Sequence, residues 1–259
     1  MRLSANISTM FGELPFLERF AAAQRAGFAA VEVQYPYGHP VADIEAARRD
    51  AGIPLILLNA PKGRNAQDRG LACLPGRERE FRDSIDTALS YTAALGNRFI
   101  HVLSGVPDVG GGRESAVATW LENMDWAARE AAQADAEILV EALNPLDVPG
   151  YFIRSLDDAI DLIRSLGKTR IGLLFDVYHC ATGGEPVVTR FHDCMPLTRH
   201  VQIADAPGRA EPGSGEIDWS EVFATIESSG YRGHVGAEYT PAGGTIEGLA
   251  WARPYLEKP

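Results

Sequence analysis

The chain has 259 residues, 46% apolar and 23% charged, a globular balance that fits one large α/β domain or two small ones, with no stretch that reads as a linker. A formal net charge of −11 argues against a nucleic-acid backbone or an anionic membrane surface as partner, while a local arginine or metal leaves a small anionic substrate open. Three scattered cysteines (Cys73, Cys180, Cys194) form no C-x-x-C pair and read as reduced thiols of a cytoplasmic protein; Met1-Arg2-Leu3-Ser4-Ala5-Asn6 lacks a signal-peptide apolar stretch, and no apolar run approaches bilayer length.

In chain order, strand-like runs fall at Leu3–Ile7, Ala29–Gln34, Pro54–Asn59, Arg98–Leu103, Glu137–Ala142, Ile171–Asp176, His200–Ala204 and Val235–Tyr239. Most lack clean alternation, as expected of strands covered on both faces. Helical patterns lie between them. Phe16–Ala26 opens after Pro15 and ends at Gly27, and Pro75–Leu95 has apolar positions at Phe81, Ile85, Ala88 and Leu89 with a stop at Gly96. Ser115–Ala134, Ser155–Leu166, Asp218–Ser228 and Gly244–Leu256 complete the series, with Asp218 as the N-cap of its helix and Glu221 at the capping-box position.

Eight strand–helix units predict an α/β fold, a single (β/α)8 TIM barrel over residues 1–259. The alternative, a doubly wound open sheet, would usually carry a Gly-rich phosphate turn after its first strand, where this chain has Asn6-Ile7-Ser8-Thr9-Met10-Phe11-Gly12. The long or Gly-rich loops follow strands: Asn59 onward, Ser104–Gly112, Asn144–Gly150 and Ala206–Ile217. Loops after helices are short, which puts the expected site at the C-terminal ends of the strands.

Four strand-like runs end in an oxygen-bearing side chain: Val140-Glu141-Ala142, Phe175-Asp176-Val177-Tyr178-His179, Val201-Gln202-Ile203-Ala204-Asp205 and Gly236-Ala237-Glu238-Tyr239. Each step between them has room for a helix and a returning strand, so parallel strands bring Glu141, Asp176, Gln202 and Glu238 to one end of the sheet. Three carboxylates meeting there repel one another, and a bound divalent cation is the simple remedy. Oxygen donors alone suit Mg2+ or Mn2+ better than a zinc site. The plainer alternative is that each carboxylate caps the helix that follows.

His179, three residues beyond Asp176, could donate a hydrogen bond to a substrate oxygen or simply pack. His101, at the end of the fourth strand, either points into the barrel mouth or is a satisfied core histidine; His39, His192, His200 and His234 read as structural. Three glycines and two prolines fix an irregular path from Asp205 to Asp218. Within it Arg209 suits a carboxylate or carbonyl, and Glu216 is placed to steady Arg209 or the metal shell. Lys62, Arg64 and Arg69 are either positive charge over the site or solvated surface, and Cys180 reads as packing.

Together these segments resemble the hydroxypyruvate isomerase family, within the xylose-isomerase-like TIM-barrel superfamily, over nearly the whole chain. The most specific stretch is Val201-Gln202-Ile203-Ala204-Asp205-Ala206-Pro207-Gly208-Arg209 with Glu211-Pro212-Gly213-Ser214-Gly215-Glu216-Ile217; Arg69-Gly70-Leu71-Ala72-Cys73, Glu141-Ala142-Leu143-Asn144 and Glu238-Tyr239-Thr240-Pro241 also match. The resemblance implies a divalent metal on Glu141, Asp176, Gln202 and Glu238, Glu141 and Glu238 as acid/base pair, and His179 and Arg209 on the substrate. It implies interconversion of hydroxypyruvate and tartronate semialdehyde (2-hydroxy-3-oxopropanoate) through an enediolate, with Arg209 or Lys62 on the substrate carboxylate. A 2-oxotetronate isomerase or ketose 3-epimerase is the alternative, and a homo-oligomer is compatible with it. Endonuclease IV-like repair enzymes share the barrel but need a histidine-rich zinc cluster and a basic groove; a catalytically dead binding barrel would have lost a metal-site carboxylate. Two positions depart from the family pattern: Cys180-Ala181, where a Gln often stands at the second, and Thr240, where a basic residue is common. Both bear on which substrate is taken.

Overall fold

The computed structural model describes residues 1–108, 110, 112–167 and 170–257. Eight parallel strands close into a barrel in sequence order: β1 (Arg2–Asn6), β2 (Ala30–Val33), β3 (Leu55–Asn59), β4 (Phe99–His101), β5 (Glu137–Glu141), β6 (Ile171–Asp176), β7 (Thr198–Ile203) and β8 (His234–Ala237). β8 pairs with β1, so no edge is left open. The open-sheet alternative is thereby excluded.

Side chains two apart on a strand share a face, and this builds the interior in layers. Ala30, Leu57, Phe99, Leu139 and Leu174 form a separate apolar cluster that floors the barrel. Two residues further along their strands stand Glu32, Asn59, His101, Glu141 and Asp176, all buried. The opposite strand faces (Leu58, Ile100, Val140, Phe175, Val201, Val235) join the large core cluster shared with the helices. A largely apolar floor, interrupted by Ser4 and His200, lies under a polar upper layer and puts the carboxylates at the C-terminal mouth.

The helices are α1 (Glu18–Arg25), α2 (Val41–Ala51), α3 (Glu78–Leu95), α4 (Arg113–Gln133), α5 (Leu156–Ser165), α6 (Val177–Thr182), α7 (Val187–Cys194) and α8 (Trp219–Ser228). Three of them escape the sequence reading. α2 buries only Ile44 fully, so its apolar stripe is faint, although Gly52 closes it in the left-handed conformation that favours glycine. α6 and α7 are only six and eight residues long, separated by Gly183 and Gly184. The helix expected over Gly244–Leu256 is reduced to a 3-10 segment, Glu247–Ala252, in a stretch broken by Gly248 and Pro254. Asp218 does cap α8, its carboxylate accepting from Glu221 N at 3.1 Å. The predicted loop over 104–112 includes residues 109 and 111, which lie outside the described residues.

The loops after β3 and β4 are stitched together at the mouth. Gly70 bridges to Ser104, Cys73 N donates to the Ser104 carbonyl at 2.8 Å, and Gly70 N donates to the Lys62 carbonyl at 3.0 Å. Gly70 sits at φ +108°, and a Cβ there would collide with the Leu103 carbonyl. Gly70→Ala is therefore expected to cost more than about 1 kcal/mol of stability. Chemical denaturation reads this directly, and an unchanged midpoint would mean that the stitched loops adjust freely.

Candidate active site

Glu141 and Asp176 are the last residues of β5 and β6, Gln202 stands one residue before the end of β7, and Glu238 follows β8 directly. All four are buried. Glu141, Asp176 and His179 each present a ligand atom within 4.8 Å of the others. Glu238 is joined to them through Arg209, whose Nη2 is 2.7 Å from Glu238 Oε2 and 3.6 Å from Asp176 Oδ2. The capping alternative holds in half measure for Asp176: Oδ1 accepts from Tyr178 N at 2.7 Å and begins α6, while Oδ2 faces the site.

Burial raises the pKa of all three carboxylates. Glu141 is pushed well up by burial and by the nearby Asp176 and Glu238; Asp176 and Glu238 are raised chiefly by burial, against the opposing pull of Arg209. Three carboxylates against one guanidinium leave two negative charges uncompensated when all are ionised. A divalent cation matches that deficit. Two buried polar atoms, Glu141 Oε1 and His101 Nε2, also lack a hydrogen-bond partner, although Glu141 Oε2 and His101 Nε2 are 3.4 Å apart. The residues present thus fit a metal.

Both mouth histidines are neutral. Burial, and then the neighbouring His179 and His200, drive His101 down to about 3; burial and Arg209 drive His179 down to about 3 against the pull of the carboxylates. Asn144 converges on His179 Nδ1 with its backbone N–H at 3.2 Å and its amide at 2.7 Å. A nitrogen that receives an N–H is an acceptor, so the His179 proton sits on Nε2, 4.0 Å from both Glu141 Oε1 and Asp176 Oδ2. In this tautomer His179 turns an N–H toward Glu141 and Asp176.

Glu238 Oε1 accepts from Asn6 Nδ2 at 2.8 Å, Gln34 Nε2 at 3.1 Å and Gln202 Nε2 at 3.3 Å. Beneath it lies Glu32, fully buried, which accepts from Ser4 Oγ, His200 Nε2 and Gln202 Nε2. Burial alone would raise the Glu32 pKa, but His200, Ser4 and Gln202 reverse this and hold it below the usual range. Arg209 is delivered by the loop after β7, which Asp205 organises: its carboxylate accepts from Ala206 N, Gly213 N, Ile217 N and Trp219 Nε1 at 2.7–3.2 Å. Arg209 itself takes φ +51°, and its guanidinium lies 4.9 Å from the Tyr178 ring centroid.

The structure thus brings together Glu141, Asp176, Gln202, Glu238, His179, Arg209 and His101. Lys62 lies at the rim, its Nζ 5.8 Å from the Tyr35 ring centroid. Arg64 and Arg69 are surface residues, the first paired with Asp83 and the second bonded to backbone carbonyls. Glu216 needs correction: it is exposed, and Arg209 pairs with Glu238 and Asp176 instead, because the Asp205-centred turn points the guanidinium inward. His200 is structural but not inert, since it holds Glu32. Cys180 packs as expected, its thiol pushed up by burial. Sequence reasoning missed Asn6, Gln34, Glu32, Asn144 and Asp205. Asn6 and Gln34 carry a weaker form of the signal that marked the carboxylates, a polar residue at the end of a strand-like run, in runs that Ser4 and Glu32 also interrupt.

A closed eight-stranded barrel with acidic residues converging at its C-terminal mouth defines a metal-capable TIM-barrel site. The family model described as xylose isomerase-like TIM barrel matches residues 20–255. Among curated proteins the chain is 40% identical to the 2-oxo-tetronate isomerase of Cupriavidus necator, covering 98% of each, and 38% identical to the hydroxypyruvate isomerase of Escherichia coli, covering 98% of this chain and 99% of that one. A crystal structure from Brucella melitensis, described as AP endonuclease, family 2, superposes with a TM-score of 0.95 at 40% identity over 99% of both chains. The chain belongs to the xylose isomerase-like TIM-barrel family, in the branch that includes hydroxypyruvate isomerases and 2-oxo-tetronate isomerases.

The raised carboxylates make a prediction about stability. A group whose folded pKa lies above its unfolded value favours folding below the unfolded pKa, and that contribution is lost as pH rises through the folded pKa. In chelator-treated protein, Glu141→Gln is expected to melt at the same temperature as wild type near pH 4 and above it at pH 7–8, the gap widening with pH. Adding a divalent cation should raise the wild-type melting temperature and close the gap. A variant less stable than wild type at pH 8 would contradict the charge-excess argument.

Proposed function

We propose that the chain is an isomerase that interconverts hydroxypyruvate and tartronate semialdehyde by moving a proton between neighbouring carbons. The observation that carries this is the burial of Glu141 and Glu238 on either side of Asp176 and Arg209 at the barrel mouth. Their raised pKa values bring both nearer to neutrality, where a carboxyl group can both take and return a proton. The family membership and the isomerase names of the relatives support the same class.

Glu141, Asp176, Gln202 and Glu238 would hold Mg2+ or Mn2+. Bound there, such an ion supplies Lewis acidity toward the carbonyl and hydroxyl oxygens of the substrate. One of the two glutamates removes a proton from the hydroxyl-bearing carbon next to the carbonyl, leaving an enediolate. The other returns a proton to the former carbonyl carbon, and the oxygen-bound proton passes to the neighbouring oxygen. The His179 Nε2–H is available to donate to a substrate oxygen in the tautomer that Asn144 fixes. Arg209, already between two carboxylates, offers its guanidinium to the substrate carboxylate, with Lys62 at the rim as a second cation.

The 40% identity to a 2-oxo-tetronate isomerase favours that longer acid as the second reading, by the same proton shift along a chain with one more carbon. A ketose 3-epimerase would use the same residues without moving the carbonyl. The endonuclease description of the Brucella melitensis structure is a weaker guide, because a net charge of −11 and an oxygen-dominated donor set suit neither a phosphate backbone nor a zinc cluster. Among the described residues no helix is long and apolar enough to cross a membrane.

The test is turnover by metal-stripped protein, with Mg2+ or Mn2+ restored, on hydroxypyruvate beside 2-oxo-tetronate and a set of small ketoses. We expect metal-dependent turnover, highest on hydroxypyruvate, and at least a roughly 100-fold loss in Glu238→Gln. Preference for 2-oxo-tetronate would establish the second reading. Near wild-type turnover in Glu238→Gln would remove the acid/base assignment.

A further inference from the structure

We propose that Glu32 is a positioning residue, which holds the Gln202 amide so that its carbonyl oxygen is the atom offered to the divalent cation. The inference rests on the reading above in which Gln202 belongs to the cation's donor set. Among the described residues the hydrogen-bond partners of the Glu32 carboxylate are Ser4, His200 and Gln202, so its bonded link to the mouth runs through Gln202.

An amide presents two chemically opposite ends, and only the oxygen can ligate a hard cation. Gln202 Nε2 lies 2.8 Å from Glu32 Oε2 and 3.3 Å from Glu238 Oε1. An ionised carboxylate only accepts, so both positions demand N–H. The two amide protons are thereby directed to two carboxylates, and the oxygen remains. A flipped amide would set oxygen against both anions.

Glu32 is held in place. Ser4 Oγ and His200 Nε2 both bond its Oε1, the latter at 2.8 Å, and the side chain is fully buried. β8 makes room for it: a Cβ at Gly236 would run into the Glu32 carboxylate. In the layer beneath, Ala30, Leu57, Phe99, Leu139 and Leu174 are apolar, and Ser4 and His200, level with Ala30 and Leu174, are the polar side chains that bond Glu32 from below. Ser4 and His200 hold one carboxylate oxygen from below, which leaves the other, Oε2, to take the Gln202 amide above.

A competing explanation is that the Glu32 charge merely attracts the cation through space. Two variants separate the readings. Glu32→Gln keeps length and loses charge; Glu32→Asp keeps charge and withdraws the carboxylate from Gln202. Mn2+ binding is titrated calorimetrically on metal-stripped wild type, both variants, Gln202→Ala, and each Glu32 variant combined with Gln202→Ala, with circular dichroism and melting temperature recorded for each. We expect each Glu32 variant to weaken Mn2+ binding roughly 10- to 100-fold, and to have no further effect once Gln202 is alanine. Wild-type affinity in folded Glu32→Asp would overturn the proposal, as would losses that multiply in the double variants. Should Glu32→Gln not fold, Glu32→Asp and its double variant carry the test. A wild type that binds no Mn2+ would remove the metal reading itself and this inference with it, so the two failures are distinguished by the wild-type titration.

Discussion

Glu141, Asp176 and Glu238 are buried together at one end of a barrel whose floor is mostly hydrocarbon, and Arg209 pairs with Asp176 and Glu238. Charge of one sign in a low-dielectric setting is costly unless it is protonated, paired or neutralised by an ion. Much of the surrounding architecture answers to this. Asn6, Gln34 and Gln202 all turn N–H groups toward one oxygen of Glu238, and Tyr178 N turns another toward Asp176. The arrangement is a poor one for stability and a good one for moving protons beside a cation, which is the usual sign of a functional site.

The cations and donors are arranged with the same economy. Burial keeps His101 and His179 neutral, so neither adds charge that would compete with a metal. Asn144 then decides which nitrogen of His179 carries its proton, so that its N–H turns toward Glu141 and Asp176. Arg209 reaches inward because Asp205 gathers three backbone N–H groups of its own loop and the indole N–H of Trp219 at the start of α8, which folds that loop into a fixed turn. The helix α6 begins on Asp176, so a residue of the mouth is also a structural one, and its orientation is set by the cap it makes.

The sequence alone determined the closed eight-unit barrel, since apolar runs separated by helical periods and punctuated by glycine leave few other ways to bury both faces of a parallel sheet. It also determined Glu141, Asp176, Gln202 and Glu238 as a convergent set, because a single polar residue ending an apolar strand has only one end of the barrel to occupy. It did not reveal α2, α6 and α7, whose apolar stripes are too short or faint to register, nor the shortening of the last helix.

Only the tertiary structure decided how the donors are oriented. Glu32 lies 170 residues from Gln202, and Asn6 lies 232 from Glu238. Such pairs meet because barrel closure brings β1 beside β8 and faces β2 across to β7, and no local pattern encodes that meeting. Residue type is a property of the position in the chain; hydrogen-bond direction, tautomer and charge balance are properties of what folding places around it. That is why the oxygen donors were legible from sequence, while the amide of Gln202, the tautomer of His179 and the inward turn of Arg209 away from Glu216 were not.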